Sequence, residues 1–131
     1  NSGALGQLTK LELHVNRIGG EGMKAFSAAI ASGALASLKE LFLYDNKIGD
    51  AGIIAFADAI KPTPANPMGA LGQLTMLDLC GNRIGDGGMQ AFASAVASGA
   101  LPALEKVVVQ SGHENHSALV AACKPRGIRI V

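Results

Sequence analysis

Residues 74–92 read LTMLDLCGNRIGDGGMQAF, and the stretch changes period halfway along. Leu77 and Leu79 flank the polar Asp78, the period-two pattern of a strand with one buried face. Met89 and Phe92, continued by Val96, stand at i, i+3 and i+7, which is one face of a helix. Asn82, Ile84 and a group of glycines lie between. The reading is strand, tight turn, helix.

The same wording occurs twice upstream. Residues 38–56 read LKELFLYDNKIGDAGIIAF and residues 8–26 read LTKLELHVNRIGGEGMKAF. Leu41-Phe42-Leu43 and Leu11-Glu12-Leu13 repeat the strand. Ile53, Phe56 and Ile60 repeat the helix face, as do Met23, Phe26 and Ile30, and the phenylalanines on these faces are expected in the core. Gly-Ala-Leu begins at 3, 33, 69 and 99, giving spacings of 30, 36 and 30 residues. Such a unit cannot bury its apolar face alone, so copies must stack. One solenoid domain over 1–131 is expected, with repeats 3–32, 33–68 and 69–98 and a C-terminal cap at 99–131.

Details of the unit follow from local rules. Asp50 and Asp86 stand where helix N-caps are expected. Gly33 and Gly99 stand where a C′ glycine ends a helix. The glycine groups at 19–22 and 85–88 recur with the repeat and read as backbone turns. The longer spacing comes from Lys61–Met68, which carries three prolines and predicts a stiff, protruding loop. In the fourth copy Leu104, Val107 and Val109 keep the strand, while Gly112 and Glu114 replace the Asn and Ile. Ser117–Cys123 predicts a short helix ended by Pro125, with Leu119 and Ala122 in the Met89 and Phe92 places. The apolar tail Ile128–Val131 closes the cap. The chain opens inside a repeat, with no N-terminal cap, and is expected to be the C-terminal part of a longer protein.

Composition narrows the function. Ala contributes 22 residues and Gly 17 of 131, which favours close, regular backbone packing. The formal net charge is +1, too small for a bulk attraction to nucleic acid. Cys80 and Cys123 are too few for a disulfide framework, so free thiols in an intracellular compartment, cytoplasmic or organellar, are expected. The uncharged run 87–104 contains Gln90, Ser94, Ser98, Gly99 and Pro102, and is rejected as a membrane span.

The repeated frame, with Leu8, Leu11, Leu13, Asn16 and Ile18 and their counterparts Leu38, Leu41, Leu43, Asn46, Ile48 and Leu74, Leu77, Leu79, Asn82, Ile84, resembles the leucine-rich repeat family. The long-repeat, ribonuclease-inhibitor-like type is the nearest match, and the wording is similar to arrays in algae and other protists. The resemblance implies an α/β fold, a leucine-rich-repeat solenoid with parallel strands on the concave face and helices on the convex face. It also implies that Asn16, Asn46 and Asn82 form a structural ladder, their side chains bonding loop backbone. Relatives of this type inhibit ribonucleases, activate a GTPase or sense ligands in immune receptors. None of those activities transfers residue by residue.

The strand residues between the leucines belong to the concave face and form columns across the repeats. The first is Lys10, Glu40, Met76 and Lys106; the second is Glu12, Phe42, Asp78 and Val108; the third is His14, Tyr44, Cys80 and Gln110. Phe42 and Tyr44 are the aromatics of this surface, at i and i+2. With Met76 and Val108 they form an apolar patch bounded by Glu12, Glu40 and Asp78, the composition of a binding hot spot. Arg17, Lys47 and Arg83 follow the ladder asparagines and form a basic stripe on one rim, where pairing with carboxylates such as Asp45 is expected. Cys80 is expected on an accessible surface and Cys123 in the core. His113 and His116 form H-x-x-H, which lacks the H-E-x-x-H spacing, so a polar loop is the expected role.

A non-catalytic protein–protein interaction module is therefore expected, binding a protein partner through the concave face and loop rims, with no cofactor, metal or nucleic acid. The alternative is an architectural or linker subunit packed inside a large assembly, organellar or membrane-associated, with contacts on the convex helices or the Pro62–Pro67 loop.

Overall fold

The computed structural model describes residues 9–13, 18–67, 69–109 and 116–131. Strand and helix alternate: β1 (Lys10–Glu12), α1 (Gly19–Ala31), β2 (Glu40–Phe42), α2 (Gly49–Ile60), β3 (Met76–Asp78), α3 (Asp86–Ala97), β4 (Lys106–Val108), α4 (Ser117–Cys123) and β5 (Arg129–Ile130). All strand pairs are parallel, in the order β1-β2-β3-β4-β5. The helices pack in a matching row, each against the next. This is the α/β solenoid that the resemblance implies, with the parallel sheet on the face taken as concave and the helices on the opposite, convex one. No helix among the described residues is long and apolar enough to cross a membrane.

The core lies between the two layers. Leu41, Leu77 and Val107, the inward residues of the central strands, are fully buried. Against them pack Ile53, Phe56 and Ile60 of α2 and Met89, Phe92 and Val96 of α3, all buried. Phe26 differs from its counterparts. It is only half-buried, and so are Leu11, Leu13 and Ile18. These residues lie in the first described turn of the stack, which has a described neighbour on one side only.

Helix ends follow the chain's punctuation. Gly33 (φ +88°) and Gly99 (φ +105°) adopt the left-handed conformation that ends α1 and α3. Helix α2 has no such glycine. Pro62 disfavours helical backbone at the residue before it, and Lys61 turns extended at φ −65°, ψ 142°. The insertion that follows is tied by reciprocal Thr63–Asn66 backbone bonds, both 3.0 Å, and by Asn66 Nδ2 donating to Gly69 O.

The N-cap expectation fails. The residues preceding α2 and α3 are Ile48 and Gly85, and neither provides a side-chain cap. Asp50 reaches the next repeat instead, where its Oδ1 accepts the Gly85 N–H at 2.6 Å. Asp86 accepts from Gln90 and contacts His116 Nε2 at 2.7 Å. His116 Nδ1 accepts the Leu119 N–H, which leaves Nε2 as the donor to Asp86. Both aspartates therefore join repeats.

The glycines are also more than turns. Gly88 has ordinary helical backbone, yet a Cβ there would lie 2.6 Å from Ile53 Cγ2 and 2.7 Å from Asp50 Oδ1. Neighbouring helices touch through this position.

The C-terminal cap is clamped by Arg126. Pro125 does not end the helical backbone; it lies within a 3-10 turn, Lys124–Arg126, and Gly127 in the left-handed region ends it. Arg126 Nη1 donates to Val96 O (3.0 Å) and Ala100 O (2.8 Å), and Nη2 donates to Leu101 O. The guanidinium thus satisfies carbonyls at the C-terminus of α3, where a cation is favoured. Arg126→Met is expected to lower stability by about 1–2 kcal/mol, since Ala100 O loses its donor. A thermal melt unchanged from the parent would contradict this role.

Candidate functional site

The register places the concave side chains in rows. Lys10, Glu40, Met76 and Lys106 align across β1 to β4, and Arg129 of β5 extends the row. Glu12, Phe42, Asp78 and Val108 form the second row. Glu40, Phe42, Tyr44, Met76, Asp78 and Val108 are half-buried, whereas Glu12 is exposed. Tyr44 lies in the turn just beyond β2. The row-three residues His14 and Gln110 lie outside the described residues.

Charge surrounds the apolar side chains. Lys10 Nζ stands 5.6 Å from the centre of the Phe42 ring and 3.7 Å from Glu12 Oε2. A cation over an aromatic face is attracted by the ring quadrupole. Asp78 Oδ1 accepts the Cys80 N–H at 3.0 Å, which fixes the carboxylate beside Val108. The Cys80 thiol is pushed up by burial first, then by the carboxylates of Asp78 and Asp45. Cys80 is half-buried, so the accessible thiol expected from sequence is a weakly ionised one. Cys123 is buried; burial raises its pKa and Arg126 partly opposes the rise.

The turn beneath this face is built on two asparagines, both 0 % exposed. Asn82 Nδ2 donates to Leu79 O of its own repeat (3.0 Å) and to Leu43 O of the preceding one (2.8 Å). Its Oδ1 accepts the Asn46 N–H at 2.7 Å. Asn46 repeats the pattern on Leu43 O (2.9 Å) and Leu13 O (2.7 Å). Asn16 lies outside the described residues.

The basic rim is only partly described, because Arg17 lies outside the described residues. Lys47 (φ +55°) and Arg83 (φ +58°) are exposed and left-handed. Neither forms an ion pair among the described residues. The Asp45 carboxylate lies instead against Gly81, where a side chain would clash with it.

Arg129 was not anticipated as a member of the face. Its signal was present: Ile128 and Ile130 alternate around it after Gly127, a short period-two run. His116 joins Asp86 to α4, while His113 lies outside the described residues. Among the described residues no three His, Cys, Asp or Glu side chains gather as a metal site. The convex side has an open groove of about 330 Å³ between α3 and α4, lined by Gln90, Ala93, Ala97, Ala118 and Ala121. A similar one between α1 and α2 is lined by Lys24, Ala28, Ala55 and Asp58.

Comparison with known proteins agrees with this architecture. A family model described as Leucine Rich repeat matches residues 8–27, 34–57 and 74–93. No curated protein matches the chain closely enough to count as a relative. A solved structure titled Leiomodin-1 Actin-Binding Site 2 superposes with a TM-score of 0.66 at 19 % identity, covering 83 % of this chain. This chain spans 57 % of the length of that one. At such identity the likeness is one of fold. In three successive segments the chain is similar to leucine-rich repeats, and its parallel strands and helices stack in the solenoid arrangement of that fold.

Proposed function

We propose that this chain is a non-catalytic protein–protein interaction module that binds a protein partner through its concave face and loop rims. One observation carries the reading: the strand register brings Phe42, Met76 and Val108 onto one sheet face with Glu12, Glu40 and Asp78, and Tyr44 follows in the turn just beyond β2. Large apolar side chains with polar surroundings supply most of the energy at protein interfaces. The leucine-rich frame supports the class, because its rigid stack presents variable strand residues at fixed spacing. The solved neighbour's title names an actin-binding site; its likeness here supports the architecture and leaves the partner open. We also infer the long, ribonuclease-inhibitor-like repeat type, since α1, α2 and α3 are full helices of 12 or 13 residues. The unit is taken as 1–131, with repeats 3–32, 33–68 and 69–98 and the cap 99–131.

The test is a double substitution. Phe42→Ala with Tyr44→Ala is expected to weaken binding to a purified partner roughly 30-fold or more, as loss of two interface aromatics does. The melting temperature should stay close to the parent's, because neither side chain belongs to the core. Normal binding by a folded double variant would overturn the concave-face reading.

The architectural alternative has its own observation. Ile54 is 48 % exposed on the helical side, and the grooves there are lined largely by alanine. Small side chains let a neighbouring element approach closely. Under that reading Ile54→Asp would weaken assembly and the Phe42/Tyr44 variant would not.

A further inference from the structure

The first row of the concave face ends in two cations. Lys106 of β4 pairs in register with Arg129 of β5, one strand step away, about 4.8 Å between backbones. Like charges facing one another across adjacent strands destabilise a sheet. Neither side chain forms an ion pair among the described residues, where the pairs involve Lys10, Lys24, Lys61 and His116. Asp78, the carboxylate diagonal to Lys106, accepts the Cys80 N–H. Two like charges are thus held together on one surface, and among the described residues neither has an ion-pair partner. The same surface is continuous with apolar side chains, for Lys106 is the register partner of Met76 and Val108 lies two residues along β4.

We propose that the partner segment seated on this face is acidic as well as apolar. Its apolar anchor packs on Phe42, Tyr44, Met76 and Val108, and its carboxylate sits between Lys106 and Arg129. The proposal rests on the interaction-module reading above and adds the partner's chemistry. An anion between the two cations offsets their mutual repulsion, and no ion pair among the described residues does so. From β2 to β4 and β5 is two or three strand steps, roughly 10–14 Å. An extended segment crossing the strands covers that in about three or four residues. Glu40 stands beside Phe42 on β2, and Asp78 lies on β3, the strand between the aromatics and the cations. A uniformly anionic ligand such as a nucleic acid strand meets those carboxylates, whereas a segment with its charge at one end avoids them.

The experiment selects ligands without assuming a partner. A random peptide library displayed on phage is panned against the 131-residue chain, and enriched sequences are synthesised for fluorescence anisotropy. Binding is compared for the parent, Lys106→Glu with Arg129→Glu, and Phe42→Ala with Tyr44→Ala. Matching thermal melts for all three show that any loss is not a loss of fold. Enriched peptides should carry Asp or Glu about three or four positions from an aromatic or aliphatic residue. The charge reversal should weaken them about tenfold or more at low salt, with a smaller loss at high salt. Exchanging the peptide's acid for Lys should restore binding to the reversed variant. Peptides that need Phe42 and Tyr44 but ignore the charge reversal would overturn the acidic partner and leave the module reading standing. No enrichment, or peptides indifferent to both double variants, would overturn both. Oligo(dT) that binds the parent more tightly than any peptide, and is lost only on charge reversal, would overturn the proposal in favour of a polyanion.

Discussion

Phe56→Ala lowers the free energy of unfolding by about 3–5 kcal/mol, the cost of deleting a fully buried aromatic and leaving the space behind. Phe56 is 0 % exposed on α2, the helix packed between α1 and α3. Stability in a solenoid is a sum over repeats and the interfaces between neighbours. A cavity in a middle helix weakens two of those interfaces together. Relaxation cannot easily fill it, since Gly52 and Gly88 already hold neighbouring helices in contact with no room for a methyl group. Domains of this size are stable by only about 5–15 kcal/mol, so the loss is a large share of the total. Phe26→Ala makes the internal comparison. Phe26 has the same place in its repeat but is half-buried, and its loss should be clearly smaller. Urea titrations followed by circular dichroism read both. Equal costs would mean that Phe56 gains nothing from its neighbours on two sides.

What the sequence reveals about this molecule is what repeats within a unit. Period-two leucines locate the strands, the Met/Phe/Val spacing locates the buried helix face, and Gly33 and Gly99 locate two helix ends. Each is a short-range pattern, and its copies reinforce one another. What it conceals is what passes between units. Asp50 and Asp86 look like caps because they stand at helix starts, yet Asp50 bonds the Gly85 amide 35 residues on and Asp86 meets His116. Spacing alone does not say whether a carboxylate turns toward its own helix or the next repeat. Gly88 looks like a turn residue for the same reason, whereas its role is to let a neighbouring helix close in. Arg129 was hidden by brevity, since a two-residue strand is too short for alternation to stand out from an apolar tail. The candidate face was legible as far as the columns run through full repeats, and its last cation was not.

Asn82→Ala should cost about 2–5 kcal/mol without touching any surface residue. The side chain is 0 % exposed and bonds its own repeat and the one before it. Truncation strands at least two buried groups: Asn46 N–H, which donates to Oδ1, and Leu79 O, which accepts from Nδ2. Leu43 O fares better, because Asn46 Nδ2 also reaches it at 2.9 Å. Each buried group left unpaired costs about 1–3 kcal/mol. Asn82→Asp separates hydrogen bonding from packing. It keeps the volume and an acceptor for Asn46 N–H, but its carboxylate cannot donate and faces the Leu43, Leu79 and Cys80 carbonyls. If donation is what matters, aspartate at 82 will be no better than alanine. Hydrogen exchange localises the damage: in the alanine variant the Asn46 amide should lose protection beyond the fall in global stability. An unchanged melt with that amide still protected would mean that water or a shifted backbone replaces the side chain. The asparagine column would then be a consequence of the stack and not one of the bonds that hold neighbouring repeats in register.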